Sequence, residues 1–346
     1  MAEGRDPVFV TGATGFIGRH VLDALVAAGY PARVLVRPGR AIDNLPAGCS
    51  PVEGDLRRPG DLAPAIAGCR YLVHVAALYT FGPRQRGDVW ATNVIGTSGL
   101  LEAAQLAGVE RAVVTSSSAT VGPARGGRPA TESDRADVAD GLSAYHGSKI
   151  AQERAAFAAR IPTVLVLPTM PVGPGDARPT PTGKMIVDFM RGRMFASLPG
   201  GMNVVPVEDV ARGHVLALER GRPGERYLLG GENLPLARLW ALLAQICGRP
   251  VPRAEIPYRA AWGLGWLDEV RCRLTGAQPL VPLEGVHMAR HNMFVNWDRA
   301  RTELGYEATP VAGALERAVD WYRAHGYADA PAGRDVQPPG VVSRER

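Results

Sequence analysis

The sequence predicts an α/β protein with a doubly wound parallel sheet and a smaller C-terminal region. Short apolar runs rich in β-branched residues alternate with amphipathic helical segments over the first half of the chain. The first run is followed by glycines spaced three residues apart and then by a helical pattern. The 346 residues, 46% of them hydrophobic and 21% charged, are enough for one large domain or two unequal ones.

The first element, residues 8–18, reads VFVTGATGFIG. Its apolar start predicts a strand buried on both faces, and residues 16–28 carry the spacing of a helix. Gly12, Gly15 and Gly18 make the turn between them, so that backbone N–H groups can approach a pyrophosphate at the positive end of the helix dipole. An ordinary glycine turn is the alternative. The strand before it and the helix after it favour dinucleotide binding in a Rossmann-type fold.

The end of the second predicted strand, residues 32–37, bears on the choice of nucleotide. An acidic residue about 20 positions after the glycines binds the ribose hydroxyls of NAD, whereas an arginine there accommodates the extra phosphate of NADP. Arg37 occupies this position and no acidic residue does. We therefore predict NADP(H), with NAD(H) as the alternative. The other interpretation of Arg37 is a solvated surface arginine.

Further strands follow at the spacing of βαβ units. We predict strands over residues 49–55, 71–75, 111–115 and 161–167, separated by helices over residues 59–67, 90–107 and 143–160. His74 lies inside the apolar run of the fourth strand, without a partner nearby in sequence, so we predict a core histidine. These elements form a predicted NAD(P)-binding domain over residues 1–170.

The second half of the chain is less regular. Residues 168–181 are rich in proline and glycine, which predicts an irregular segment. Residues 171–327 are predicted to be mainly a substrate-binding region, with residues 202–230 returning to the sheet domain. Residues 328–346 have little apolar content and are expected to be disordered. Strands are predicted over residues 202–207 and 225–229, and helices over residues 208–219, 236–247, 259–274, 298–304 and 311–325.

Charge and cysteine content exclude several classes of protein. The formal net charge of +5 is modest and no block of basic residues stands out, so we expect no nucleic-acid partner. The cysteines are scattered without a close pair, which predicts free thiols in a reducing compartment and no metal site. Residues 1–7 are too short and charged for a signal peptide, and no run spans a bilayer. We therefore expect a cytoplasmic protein, with peripheral membrane contact left open.

A tyrosine and a lysine lie four residues apart on the helix predicted over residues 143–160. This spacing places Tyr145 and Lys149 on one face. A phenol ionises near pH 10, and a neighbouring ammonium favours the phenolate and makes it a usable acid–base group. A serine hydroxyl from the end of the fifth strand could hold a substrate oxygen. An exposed helix pair is the alternative, but the combination with the glycine turn favours a catalytic site.

The sequence resembles the extended short-chain dehydrogenase/reductases through nearly the whole chain to about residue 327. The motifs that carry the resemblance are TGATGFIG from Thr11, GDL from Gly54, HVAA from His74, TSSSATVG from Thr115 and YHGSK from Tyr145. Longer runs over residues 171–194, 213–221, 227–234 and 321–327 look most like the hopanoid-associated sugar epimerases, which are similar to dihydroflavonol 4-reductases.

The resemblance implies a role for each matching position. It implies that Ser117 is the catalytic serine, with Ser118 as the alternative, that Tyr145 is the acid–base group, and that Lys149 lowers its pKa and holds the nicotinamide ribose. Asn93 matches a structural or proton-relay asparagine, and Pro206 stands where relatives usually have histidine. The remaining cofactor-binding positions implied are Gly12, Thr14, Gly15, Phe16, Ile17, Gly18, Arg37, Asp55, Leu56, Ala76, Ala77, Pro168 and Thr169.

Three functions are compatible with these residues. The first is an NADP(H)-dependent oxidoreductase that reduces a carbonyl or oxidises an alcohol on a sugar- or lipid-linked intermediate, in keeping with hopanoid metabolism. The second is an NAD(P)-dependent sugar epimerase that uses the same serine, tyrosine and lysine. The third is a regulator that senses NADP without turnover, which the intact catalytic set argues against. A homodimer is also compatible with the sequence.

The substrate is expected to lie beside the nicotinamide, beyond the carboxyl ends of the strands. Tyr79, Phe81 and residues 171–198 are predicted to line this pocket, with Lys184 as its polar contact. Trp262, Leu264 and Trp266 are predicted to be core residues or an apolar wall that contacts lipid.

Overall fold

The computed structural model describes residues 5–39, 44–79, 85–137, 144–194, 196–275, 286 and 292–327. Its centre is a seven-stranded parallel sheet, so the predicted fold class is confirmed. From one edge to the other the strands are β10 (Arg226–Leu229), β6 (Thr163–Pro168), β5 (Arg111–Thr115), β4 (Tyr71–His74), β1 (Val8–Thr11), β2 (Ala32–Val36) and β3 (Cys49–Glu53). All of these strands were predicted from the apolar runs, within a residue or two at each end.

Helices cover both faces of this sheet. On one face α1 (Phe16–Ala27) packs against α7 (Val207–Arg220), where their apolar residues join those of the sheet in one core cluster. On the other face lie α2 (Ala63–Ile66), α4 (Gly96–Leu106) and α5 (Ala144–Ala158), in a second cluster. Because β1 and β6 are buried along their whole length, their continuous apolar runs are explained by cover on both faces.

The single helix predicted over residues 90–107 consists of three parts. Helix α3 (Arg86–Trp90) leads through a π-helical turn, Ala91–Ile95, into α4. Turns of this kind occur mostly as single bulges inside α-helices, frequently at functional sites. Asn93 lies in the turn and is fully buried. The amphipathic pattern correctly predicts the helix but contains no signal for the bulge.

The C-terminal region has its own small sheet and core. Strands β7 (Met170–Val172), β9 (Gly201–Pro206) and β11 (Glu232–Pro235) form a three-stranded sheet, and β8 (Ala196–Ser197) pairs with β12 (Ala254–Glu255). The third core cluster combines residues of the three-stranded sheet with α6 (Pro181–Met190), α8 (Leu236–Cys247) and α10 (Val311–Ala324). Helix α9 (Tyr258–Thr275) follows β12.

Some elements of this region differ from the prediction. Residues 168–181 contain β7 and are therefore not wholly irregular, while α6 and β11 were not predicted. Within residues 202–230, β10 joins the central sheet and α7 packs on α1, whereas β9 belongs to the three-stranded sheet. The domain boundaries themselves stay a prediction. Phe81 and residues 328–346 lie outside the described residues.

Among the helices that the structure describes, none is both long and apolar enough to cross a membrane.

Candidate active site

The turn between β1 and α1 is closely packed, and this explains two of its glycines. Gly12 has φ +81°, and a Cβ on it would lie 2.5 Å from the backbone nitrogen of Ala76. A Cβ on Gly18 would lie 2.0 Å from the carbonyl oxygen of Gly12. Gly15 precedes α1 and provides no side-chain cap for the first N–H groups of the helix. Since those groups have no intrahelical acceptor, the turn fits a pyrophosphate, which supplies acceptor oxygens.

The carboxyl end of β4 lies beside this turn. Thr11 of β1 is in register with His74 of β4, and their side chains are joined by a hydrogen bond of 2.7 Å. The backbone N–H of Ala76 donates to Thr11 Oγ1 at 3.3 Å. Ala76 and Ala77 follow β4, and Ala76 lies against Gly12, while their cofactor role stays a prediction.

A cavity of about 600 Å³ lies at the carboxyl ends of β2 and β3. Arg37, Asp55, Arg57 and Arg58 contribute to its lining. Arg57 binds the Asp55 carboxylate at 2.6 Å, and this contact lowers the pKa of Asp55. Within the described part of the chain, the guanidinium groups of Arg37 and Arg58 have no hydrogen-bond partner. Leu56, one of the predicted cofactor-binding positions, is buried in the second core cluster.

Tyr145 and Lys149 lie on the first turns of α5. The Lys149 ammonium is buried and donates to the carbonyl oxygen of Thr115 and to Gln152 Oε1, both at 2.9 Å. It lies 5.9 Å from the centre of the Tyr145 ring. Burial lowers the pKa of Lys149 to about 7. The Tyr145 ring in turn packs on Tyr79, with their centres 4.3 Å apart. The predicted tyrosine–lysine pair is thus placed at the carboxyl end of β5.

The three serines that follow β5 have different surroundings. Ser116 is buried and its hydroxyl donates to Glu153 Oε1 at 2.5 Å, which orients it away from the surface. Ser117 Oγ accepts the N–H of Ala119 at 3.1 Å and caps a short 3₁₀ turn. Ser118 Oγ has no hydrogen-bond partner among the residues that the structure describes. Ser117 and Ser118 therefore both stay candidates for the serine that holds a substrate oxygen.

A buried chain of hydrogen bonds reaches Lys149 through Gln152, and the sequence analysis did not predict it. Gln152 Nε2 donates to Thr97 Oγ1 at 2.9 Å, and the same hydroxyl lies 2.9 Å from His74 Nε2. Burial lowers the pKa of His74 to about 3, so its imidazole is neutral at physiological pH. The prediction of a core histidine is confirmed, and this histidine links Thr11 to the lysine through Thr97 and Gln152.

The side chain of Asn93 connects the loop after β4 to helix α5 through hydrogen bonds. Its side-chain oxygen accepts the N–H of Leu78 at 2.7 Å, and its amide donates to the Leu78 carbonyl and to Ser148 Oγ, both at 3.0 Å. The loop carries Ala76, Ala77 and Tyr79, whereas Ser148 precedes Lys149 on the helix. Asn93 therefore fixes the loop that carries the predicted cofactor-binding residues Ala76 and Ala77 relative to the tyrosine–lysine pair.

The remaining predicted residues lie toward the C-terminal region. Pro168 ends β6, and the hydroxyl of Thr169 donates to Asn203 Oδ1 at 2.8 Å, so both are buried where the two sheets meet. Lys184 lies on α6, where its ammonium donates to Asp188 Oδ2 at 2.6 Å and the side chain is 62% exposed. Its contact with substrate stays a prediction.

Comparison with known proteins places the chain among nucleotide-dependent enzymes. Residues 8–230 match the NAD dependent epimerase/dehydratase family. Over 332 residues the chain is 39% identical to a Synechocystis sp. protein named provisionally as a dihydroflavonol 4-reductase, covering 93% of this chain and 96% of that protein. It is 32% identical over 325 residues to sterol demethylase protein B of Methylococcus capsulatus, covering 92% and 98%. A nucleoside-diphosphate-sugar epimerase from Pseudomonas aeruginosa has a crystal structure that superposes with a TM-score of 0.79 at 28% identity, covering 93% and 99%.

Proposed function

Because the chain belongs to the NAD dependent epimerase/dehydratase family of extended short-chain dehydrogenase/reductases, we propose that it reduces a carbonyl group on a lipid-like intermediate with NADP(H). Membership makes it an enzyme of the NAD(P)-dependent short-chain dehydrogenase/reductase type. The observation that carries the proposal is the buried Lys149 ammonium, held by Thr115 beside the Tyr145 ring.

The proposed chemistry divides between the cofactor and the side chains. When bound, the nicotinamide supplies the hydride for reduction or accepts it for oxidation. Tyr145 donates its phenolic proton to the substrate oxygen as the carbonyl becomes an alcohol. Lys149, when charged, stabilises the resulting phenolate because opposite charges at short range favour the ionised form. A hydroxyl from Ser117 or Ser118 donates to the same oxygen and orients it.

The proposed preference for NADP(H) rests on the cavity beside Arg37. Two guanidinium groups, those of Arg37 and Arg58, line it without a partner among the described residues. Asp55 is engaged by Arg57, and the lining also includes Glu53 and Asp61. A phosphate there would gain charge-assisted hydrogen bonds, which are about twice as strong as neutral ones. NAD(H), which lacks this phosphate, remains the alternative cofactor.

The proposed substrate class comes from the relatives. The names of two of them refer to a dihydroflavonol and to a sterol, both polycyclic and poorly soluble compounds. We therefore favour a polycyclic or isoprenoid carbonyl compound, and a role in hopanoid metabolism is one case of this class. Tyr79, packed on Tyr145 and exposed on its other side, offers an aromatic surface next to the proposed proton donor.

A sugar epimerase is the second candidate, because the likeness to the P. aeruginosa epimerase extends over the whole fold. The two reactions differ in their stoichiometry. A reductase consumes one NADPH for each alcohol formed, whereas an epimerase oxidises and re-reduces the same carbon and consumes none.

The experiment incubates the purified protein with NADPH deuterated at the transferable position and with a panel of polycyclic ketones, dihydroflavonols and nucleotide sugars. We expect deuterium in the alcohol product of a polycyclic ketone and equal consumption of NADPH. Tyr145→Phe should bind NADPH normally and lose about 10²–10⁴ in rate. Inversion of a nucleotide sugar without NADPH consumption would support the epimerase instead. Tight NADP binding with no turnover of any compound would point to the sensing regulator.

A further inference from the structure

Helix α9 presents an apolar face to the exterior. Leu264 is 51% exposed, and the prediction that Trp262, Leu264 and Trp266 are core residues is wrong. The face is formed by Trp262, which is 42% exposed, Trp266 at 51%, Leu267 at 59% and Leu274 at 82%. At 3.6 residues per turn, these four positions fall within an arc of about 140° on the helix surface. The buried positions Ala261, Gly265 and Asp268 lie on the opposite side, which faces the protein. Solvent exposure of two tryptophans on adjacent turns is unusual for a folded domain and marks a surface that binds something.

The charges around this face identify what it fits. Arg259 lies inside the arc and is exposed, and position 273, also inside it, is an arginine. The acidic residues Asp268 and Glu269 lie outside the arc, and Asp268 is paired with Arg271 at 2.7 Å. Both charged positions inside the arc are therefore arginines, whereas Glu269 lies about 20° beyond the edge of the arc that Trp262 forms. Exposed tryptophan and leucine combined with arginine are typical of helices that lie in the headgroup region of an anionic bilayer.

We propose that α9 docks the protein on the surface of an anionic lipid bilayer, with Trp262 and Trp266 inserted at the level of the headgroups. The helix has 18 residues and is therefore about 27 Å long. It is not apolar enough to cross a membrane, so it lies in the plane of the interface. Indole rings suit this depth because one edge is apolar and the N–H stays in contact with water.

The place of α9 in the chain connects docking to the proposed pocket. The helix follows β12, which pairs with β8 through Ala254 and Ala196, and the N–H of Ile256 donates to the carbonyl of Ser197 at 2.9 Å. Strand β8 ends the segment that is predicted to line the pocket. Docking would bring this segment close to the bilayer, which is where a lipid-like substrate concentrates. This last step rests on the proposed function, whereas the docking does not.

The test measures flotation of the full chain with phosphatidylcholine vesicles that contain 30% phosphatidylglycerol, and with pure phosphatidylcholine vesicles. We expect binding to the anionic vesicles that weakens at high salt, together with a blue shift of tryptophan emission. The Trp262→Ser/Trp266→Ser double variant should lose at least tenfold in partitioning, and Arg259→Glu should lose a smaller factor. Trp90→Ser is the matched control, because Trp90 is 46% exposed on another helix, and its partitioning should be unchanged.

Three results would overturn the proposal. The first is no flotation of the wild-type chain with either vesicle. The second is an equal loss in the Trp90→Ser control. The third is a wild-type dimer, seen by sedimentation without vesicles, that the double variant abolishes, since a second copy would then be what covers the face. Unchanged thermal unfolding of the double variant shows that it is folded. No substrate or turnover enters the measurement, so its failure is separate from failure of the proposed function.

Discussion

Glu153 and Arg226 form a buried ion pair between helix α5 and strand β10, with Glu153 Oε2 3.1 Å from Arg226 Nε. The Arg226 side chain is 2% exposed, and it also donates to the carbonyl of Glu132 and to Thr120 Oγ1, both at 2.8 Å. The other carboxylate oxygen of Glu153 accepts from Ser116 and Thr120. The pair thus ties the serine-bearing loop after β5 to the helix that carries Tyr145 and Lys149.

Removing one partner of this pair should be costly. Arg226→Met leaves the Glu153 carboxylate buried without its counter-charge, and we expect the free energy of unfolding to fall by about 3–5 kcal/mol. Arg226→Met/Glu153→Met removes both charges and should recover a large part of that loss. Urea unfolding followed by circular dichroism measures both variants. A loss below about 1 kcal/mol in the single variant would show that the pair is not isolated from water.

Lys149 predicts how stability depends on pH. Its pKa is about 7 in the folded protein and takes its ordinary value of 10.5 when the chain unfolds. Between these values the unfolded chain binds more protons, so stability rises with pH there, by up to about 1.4 kcal/mol per pH unit. Below pH 7 the cost of burying the ammonium is fully present. Lys149→Met should therefore stabilise the protein more at pH 6 than at pH 10, as measured by its melting temperature at the two pH values.

Lys184, the other lysine of the chain, provides the control for this measurement. Its side chain is mostly exposed, so Lys184→Met should change the melting temperature equally at both pH values. If the gain from Lys149→Met were the same at pH 6 and pH 10, the ammonium would not be held in a dry environment.

Arg37 predicts the nucleotide preference. Arg37→Ala removes a cation from the cavity at the ends of β2 and β3, and we expect NADPH affinity to fall tenfold or more while NADH affinity hardly changes. Tenfold corresponds to about 1.4 kcal/mol, which is within the range for a hydrogen bond to a charged group. Fluorescence titration with each nucleotide measures the two dissociation constants. Equal losses for both nucleotides would contradict NADP(H) specificity.

Much of the fold and part of the site could be predicted because their signals are local in sequence. The apolar runs, the glycine turn and the four-residue spacing of Tyr145 and Lys149 each lie within a few residues. The contacts of Arg226 could not be predicted, since Glu153 is 73 residues away in the chain. The same holds for the support of Lys149 through Gln152 and Thr97. Strand β7 was missed because its proline suggested a loop, although its partner β9 supplies the hydrogen bonds.

The two candidate serines can be separated by substitution. Ser117 Oγ accepts from Ala119 and keeps its own proton free to donate, so we expect Ser117→Ala to lower kcat by about 10²–10³. Ser118→Ala should lower it less. Steady-state kinetics measures both effects, with a compound of the panel that the wild-type protein turns over. The reverse order of effects would assign the role to Ser118. Both variants retain Tyr145 and should bind NADPH like the wild type, and this binding is the control for folding.

Lys184 is predicted to contact the substrate, and its contacts in the structure indicate how much Lys184→Ala should change KM. Its ammonium already binds Asp188 at 2.6 Å, so contact with a substrate requires an exchange of partners on α6. An exposed ion pair of this kind contributes up to about 1 kcal/mol, so the exchange costs little. Lys184→Ala should raise KM about fivefold, which corresponds to about 1 kcal/mol, while kcat and NADPH affinity stay the same.

Asp188→Asn is the matched variant, because it frees the Lys184 ammonium without removing it and should lower KM or leave it unchanged. If KM for the substrate were unaffected in Lys184→Ala, Lys184 would be a surface residue whose partner is Asp188 alone, and the polar contact of the pocket would have to come from another residue of the segment between β6 and β8.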